Sequence, residues 1–347
     1  TYVLNRFQTK SPDLITDVGT QMKDIHMRKT EGVSSHISMK KAWELMKAQG
    51  VVTLPVTGKA GELQGVIITG DIATSYMDVY DNEILARART QYKNIIETLN
   101  ATLLVGNEHA YFTRGKVVVA TSSPEMMEEY IEDDDLVILG NRYEVQLCAL
   151  ELNASCIIVC SGAKVSQTIQ KLARDRGCVL MTTPFDTFTV SRLINQSMPI
   201  KYFMRKENLV TFETEEYMDD VKEIMSKERH RDFPVLDEKG KYVGMMSRRN
   251  LLNMKKKQVI LVDHNEKSQA VDGIAGAEIL EIIDHHRIGS LETISPVYFR
   301  NQPLGCTSTI IYQMFGEKNI EIPRSPYTLT PVRKPWLAER PLSGWPA

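Results

Sequence analysis

An α/β fold is what this sequence predicts, and three observations carry the prediction. Short apolar runs rich in β-branched residues alternate with helical stretches through most of the chain. Two of those runs end on an acid followed by histidine, at Asp263-His264 and at Asp284-His285-His286. An early stretch also returns later at a fixed offset: Met46 and Met225, Pro55 and Pro234, and Gly65 and Gly244 are each 179 residues apart. With 347 residues there is room for two or three such units.

Composition narrows the class. The chain is 42% apolar and 25% charged, with a formal net charge of -2. That balance suits a soluble globular protein and supplies no basic field for nucleic acid. The run Lys255-Lys256-Lys257 reads as a solvated linker. No window is apolar for long enough to span a bilayer, and the first residues lack the layout of a signal peptide. Five cysteines, an odd number without CxxC spacing, argue against a disulfide framework. They read as small core residues in a reducing compartment, so a cytoplasmic protein without membrane or nucleic-acid partners is expected.

In chain order, residues 1–22 read as the end of an earlier segment and a linker. Residues 23–79 hold the first copy of the repeat. Its helix, residues 39–49, places Ala42, Leu45 and Met46 on one face, and a strand carrying Pro55 follows, then a turn, a second strand and a second helix. Residues 200–256 repeat the pattern with a helix over 215–228 and a strand over 232–236. The intervening stretch, 80–199, is too long for a loop. Strands over 117–120, 136–139, 156–159 and 179–181, with helices over 144–152 and 166–175, make it an α/β domain in its own right.

The duplicated unit resembles a CBS domain pair, a family that binds adenine nucleotides between its copies. The family's ribose signature, Ser or Thr followed three residues on by Asp or Asn, is kept in copy two as Ser247-Arg248-Arg249-Asn250. Serine and asparagine suit ribose hydroxyls, while two arginines at a helix start suit phosphate. Copy one departs from the pattern, with Ile68 at the hydroxyl position followed by Thr69-Gly70-Asp71, so Thr69 or Asp71 is expected to serve instead. Helix capping is the alternative role for Ser247 and Thr69. Copy two is therefore expected to carry most of the nucleotide contacts. The stretch 140–162 and its position between the copies resemble a DRTGG domain, although that literal string is absent. The resemblance implies AMP, ADP, ATP or a diadenosine polyphosphate as regulator, and a homodimer formed through the CBS copies.

Residues 257–322 complete the reading. The strand 259–262 delivers Asp263-His264-Asn265-Glu266 at its carboxyl end, where open α/β sheets place their ligands. The run 279–283 delivers Asp284-His285-His286 in the same way. Carboxylate and imidazole donors together suit manganese, cobalt or magnesium. The two motifs, with Gly305-Cys306-Thr307 downstream, closely resemble the DHH phosphoesterase superfamily and, within it, the family II manganese-dependent inorganic pyrophosphatases. That resemblance implies hydrolysis of pyrophosphate to two phosphates with Mn2+ or Co2+, and with Mg2+ accompanying the substrate. It makes Asp263 a metal bridge, His285 a metal ligand, His286 the residue that touches substrate and protonates the leaving phosphate, and Asp284 an orienting partner behind an imidazole. His264 and Glu266 receive no role, and Thr307 is expected to cap the helix it opens.

Other family landmarks, an HxxxDxD segment and a later aspartate motif, are not found in the chain. The expectation is a regulatory insert with part of a catalytic domain, inactive by itself. A pure nucleotide-sensing module and another DHH-type phosphodiesterase are the alternatives. Residues 323–347, holding six of the fourteen prolines, are expected to be an unstructured and non-native tail.

Overall fold

A computed structural model describes residues 11–77, 81–252, 254–293 and 295–322. The expected tail over 323–347 lies outside them. The chain divides into two compact units, one comprising Ile25–Glu216 with Val221–Asn253, the other Thr1–Asp24, Tyr217–Asp220 and Met254–Ala347.

In the first unit, helix α1 (Met39–Gln49) starts where the Ser38 side chain accepts from the Lys41 N–H at 3.1 Å and stops at Gly50, whose φ of 63° closes the last turn. It buries Met39, Ala42 and Met46. Strands β1 (Thr53–Thr57) and β2 (Leu63–Ile68) form an antiparallel hairpin, and α2 (Thr69–Met77) follows directly.

The insert begins with the short helix α3 (Ile84–Arg87), strand β3 (Thr90–Gln91) and helix α4 (Tyr92–Leu99). Then come β4 (Thr102–Val105), β5 (Tyr111–Phe112), β6 (Val117–Ala120), α5 (Pro124–Met127), β7 (Leu136–Leu139), α6 (Tyr143–Glu151), β8 (Cys156–Val159), α7 (Gln167–Asp175), β9 (Val179–Thr182) and α8 (Thr187–Leu193). Its sheet runs β4-β9-β8-β7-β6, parallel except for β4 at one edge. Central strands β7 and β8 are buried throughout because helices cover both faces. Their side chains alternate accordingly. Leu136 and Ile138 join a core that continues through Tyr92 and Ile95 into Met46, Leu54 and Ile67 of copy one, whereas Val137 and Leu139 join a second core beneath α6 and α7.

Copy two contains β10 (Phe212–Glu213), α9 (Met218–Lys227), β11 (Asp232–Leu236), β12 (Tyr242–Ser247) and the single turn α10 (Arg248–Leu251). The two copies exchange edges. Arg28, near the start of copy one, pairs with Met245 on β12, and Arg205, near the start of copy two, pairs with Val66 on β2. Both pairings use two main-chain hydrogen bonds of 2.9–3.1 Å. The repeat's glycines sit under these crossings: a methyl group on Gly65 would meet the Arg205 carbonyl oxygen at 2.4 Å, and one on Gly244 the Arg28 oxygen at 3.2 Å. The equivalent residues Thr53 and Asp232 meet each other, with the threonine hydroxyl donating at 2.8 Å.

The second unit is a parallel sheet in the order β13 (Gln258–Val262), β14 (Glu278–Asp284), β15 (Tyr298–Asn301), followed by helix α11 (Thr307–Glu317). Leu261, Ile274 and Ile282 form its core. Among the described residues no helix is long and apolar enough to cross a membrane.

Candidate functional site

Because β13 and β14 run parallel with Val262 opposite Ile283, beyond an irregularity at Val259/Ile260, and the Asp263 N–H donates to the Ile283 carbonyl at 3.0 Å, both acid-histidine motifs leave the sheet at the carboxyl ends of their strands. Asp263, His285 and His286 each bring a donor atom within 4.8 Å of the others. The chain turns sharply here, and Asp263 has a φ of 70°, an unfavourable left-handed conformation for a residue with a side chain.

Each donor is held from behind. The Thr307 hydroxyl donates to Asp263 Oδ1 at 2.6 Å, which leaves Oδ2 open. His285 Nδ1 lies 2.9 Å from the Leu304 carbonyl, an acceptor only, so that nitrogen carries the proton and Nε2 is the lone-pair donor, 3.4 Å from Asp263 Oδ1. His286 Nδ1 lies 2.8 Å from Asp284 Oδ1. Asp284 is fully buried. Burial alone would raise its pKa, but hydrogen bonds from the His286 main chain and side chain, the His285 main chain and Asn265 together hold it below the ordinary carboxylate value. The donor set of one carboxylate and two imidazoles fits a divalent cation of the manganese or cobalt type, and hydrogen-bonded partners behind the ligands are usual at such centres.

His264 and Glu266 stand apart from the cluster: His264 Nδ1 is 3.2 Å from the Val262 carbonyl, and Glu266 pairs with Arg287. Thr307 is not the helix cap that its position suggested. Cys306 occupies the cap position and the threonine hydroxyl serves Asp263, because a helix-opening hydroxyl next to a carboxylate gains a charge-assisted bond. Sequence reasoning also missed Asn265, which is buried and donates to both Asp284 and the Arg287 carbonyl. Its place between two acid-containing motifs was the available signal.

The first unit contains a cleft of about 630 Å3 between the CBS-like copies. Ile68 and Thr69 line it from one copy, and Arg229, His230, Arg231 and Asp232 from the other. Of the signature residues, Thr69 alone is on its wall. Asp71 lies behind, accepting from the Ile68 N–H at 3.0 Å and from two nitrogens of Arg205 at 2.9 and 3.0 Å. The copy-two signature is engaged elsewhere. Ser247 Oγ donates to Asn250 Oδ1 at 2.6 Å, and Asn250 in turn donates to the His26 carbonyl at 2.7 Å, a capping arrangement. Contrary to the expectation of a free phosphate ligand, Arg248 spends its guanidinium on the carbonyls of Met225, Glu228 and His230 at the end of α9. The Arg249 side chain is exposed without a hydrogen bond or ion pair to any described residue.

Known proteins resemble both the repeated unit and the part that follows it. A CBS domain model matches residues 22–78 and 200–257, and a DRTGG domain model matches residues 94–197. The cobalt-dependent inorganic pyrophosphatase of Clostridium perfringens is 41% identical over 319 residues, 92% of this chain and 58% of its own length. The probable manganese-dependent inorganic pyrophosphatase of Thermotoga maritima is 33% identical over 93% of this chain and 59% of its own. The chain thus spans about three-fifths of these relatives. Among solved structures, the CBS and DRTGG domains of the regulatory region of the C. perfringens pyrophosphatase, complexed with the activator diadenosine tetraphosphate, match at 39% identity and a TM-score of 0.64, covering 66% of this chain and 100% of that one. With that whole regulatory region matched and pyrophosphatase relatives aligned along nearly its full extent, the chain belongs to the family of inorganic pyrophosphatases that carry CBS and DRTGG domains.

Proposed function

We propose that the protein hydrolyses inorganic pyrophosphate to two phosphates with a manganese or cobalt centre, under control of an adenine nucleotide bound between the CBS copies. The observation carrying the catalytic half is the convergence of Asp263, His285 and His286 at one edge of a parallel sheet, on a chain whose relatives are named as metal-dependent pyrophosphatases. Asp263 and His285 would hold the cation. When bound, such a cation polarises the substrate and lowers the pKa of a coordinated water. Asp284 fixes the His286 ring through Nδ1, which leaves Nε2 as the atom that touches the substrate and delivers a proton to the leaving phosphate. Asp263→Asn should abolish cobalt binding and phosphate release together. His286→Gln should keep the metal and slow turnover by about two to four orders of magnitude, the usual worth of a general acid. Phosphate release and metal content, measured on both variants in the presence of Mn2+ or Co2+, check the division; equal metal loss in the two would refute it.

For the regulatory half, the cleft with Thr69 on one wall and Arg229 and Arg231 on the other supports AMP, ADP, ATP or a diadenosine polyphosphate as ligand, with Asp71 available to ribose once Arg205 yields. Ser247, Arg248, Arg249 and Asn250 hold the equivalent positions on copy two, where Ser247, Arg248 and Asn250 are already engaged in capping contacts, so the copy-one side carries the larger share of the ligand. Titration calorimetry with these nucleotides tests it, and absence of heat with all of them would reject the assignment. A nucleotide-sensing role without catalysis is the second reading, favoured by the donor count: the described residues assemble a single three-donor group, too few for a metal pair. Nucleotide binding with no phosphate release would select it. A reducing, cytoplasmic setting is supported by the five free cysteines, four of them buried. Association of two copies through the CBS faces is supported by an apolar hollow of about 430 Å3 around Trp43, Ile72 and Tyr76.

A further inference from the structure

A second pocket in the first unit shares no residue with the cleft. It has a volume of about 470 Å3 and is lined by His36, Arg87, Arg89, Lys201 and Lys206 with the rings of Tyr111 and Tyr202. Among the described residues no acidic side chain lines it. Arg87 is ion-paired with Asp81, while the side chains of Arg89, Lys201 and Lys206 are exposed and have no ion pair or hydrogen bond to any described residue. Three unpaired cations around one concavity repel each other, a cost that a bound anion removes.

The walls come from separate stretches of chain and are fixed by main-chain bonds. The Lys201 N–H donates to the Ser35 carbonyl and the Ile200 N–H to the Ile37 carbonyl, both at 2.9 Å, and Asn94 Nδ2 holds the His36 carbonyl at 2.9 Å. Arg89 ends its turn at a φ of 53°, a left-handed conformation that a side-chain-bearing residue adopts at some cost. The concavity is therefore standing rather than induced.

We propose that this pocket binds a linear oligophosphate, either free or carried by a nucleoside. Several positive charges around a small concavity match a chain of phosphates, and lysine is a point-charge partner for them. The two exposed tyrosine faces offer stacking for a base if one is attached. The pocket lies where copy one, the insert and the start of copy two meet, so occupancy would tie those elements together.

The test uses tripolyphosphate and ATP as probes in titration calorimetry on the whole chain. Lys201→Ala/Lys206→Ala should weaken tripolyphosphate binding at this pocket at least tenfold, and Lys201→Arg/Lys206→Arg should retain it within about threefold. The cleft variant Arg229→Ala/Arg231→Ala should keep the component that the lysine pair removes, which separates this site from the regulatory one. Because both lysines are exposed, an unchanged melting temperature certifies the fold. Tyr202→Leu weakening ATP but not tripolyphosphate identifies the nucleoside-borne form; equal retention of both identifies the bare phosphate chain. A tripolyphosphate isotherm for Lys201→Ala/Lys206→Ala that superimposes on the parent's overturns the proposal.

Discussion

Gly65 and Gly244 occupy equivalent positions in the two copies, yet the structure gives them unequal room. At Gly65 an added methyl group would lie 2.4 Å from a main-chain oxygen of Arg205, so the crossing strand itself has to move; at Gly244 the equivalent distance is 3.2 Å and a few tenths of an ångström suffice. Overpacking of the first kind costs about 1–3 kcal/mol. Gly65→Ala should therefore lower the melting temperature by several degrees and Gly244→Ala by clearly less, measured by differential scanning calorimetry. Equal losses would mean that strand crossing is not what holds these positions to glycine. The same logic shows what a residue-by-residue reading can see. That the glycines recur was visible in the sequence, but the carbonyl that excludes a side chain at Gly65 belongs to Arg205, some 140 residues away, beyond any local pattern.

Helix α9 shows how one side chain changes meaning once its element is known. In the sequence, Arg248 sits in a signature suited to a phosphate; in the fold, it closes the carboxyl end of α9 by donating to the Met225 and Glu228 carbonyls. A helix end leaves carbonyls without partners and carries partial negative charge, so a guanidinium there contributes about 0.3–1 kcal/mol. Arg248→Ala should lower thermal stability while leaving AMP affinity nearly unchanged. A tenfold loss of AMP affinity at constant melting temperature would show instead that the guanidinium leaves α9 for the nucleotide. The strands β7, β8 and β9 were legible as continuous apolar runs because burial on both faces demands them, and β6, at one edge with Val119 exposed, was legible because its three valines favour a strand. Strand β4 was not, since an edge strand buried on one side needs no such run: Thr102 is exposed and Leu103 and Leu104 only partly covered. At the candidate site the acid-histidine endings were legible, whereas Thr307 was not, because a hydroxyl opening a helix reads equally as a cap or as a partner for a distant carboxylate.

At the scale of the whole molecule, Trp43 is 45% exposed and Tyr76 49%, beside Ile72 in an apolar hollow. A second copy covering that hollow would make the chain a dimer, and Trp43→Glu should then shift the sedimentation coefficient to that of a monomer; a parent chain that already sediments as a monomer would remove the idea. The edge exchange between the copies has another consequence, which concerns synthesis. A chain leaving the ribosome presents β2 long before Arg205, the residue that pairs with it, has been made. Copy one thus waits, with a strand edge open, until about 140 further residues and an entire inserted domain have emerged, and at ordinary elongation rates of about 5–20 residues per second that interval lasts roughly 7 to 28 seconds. The insert, whose own sheet closes within its own stretch of sequence, is able to fold during that wait and to cover the Met46, Leu54 and Ile67 side of copy one before its last strand partner arrives.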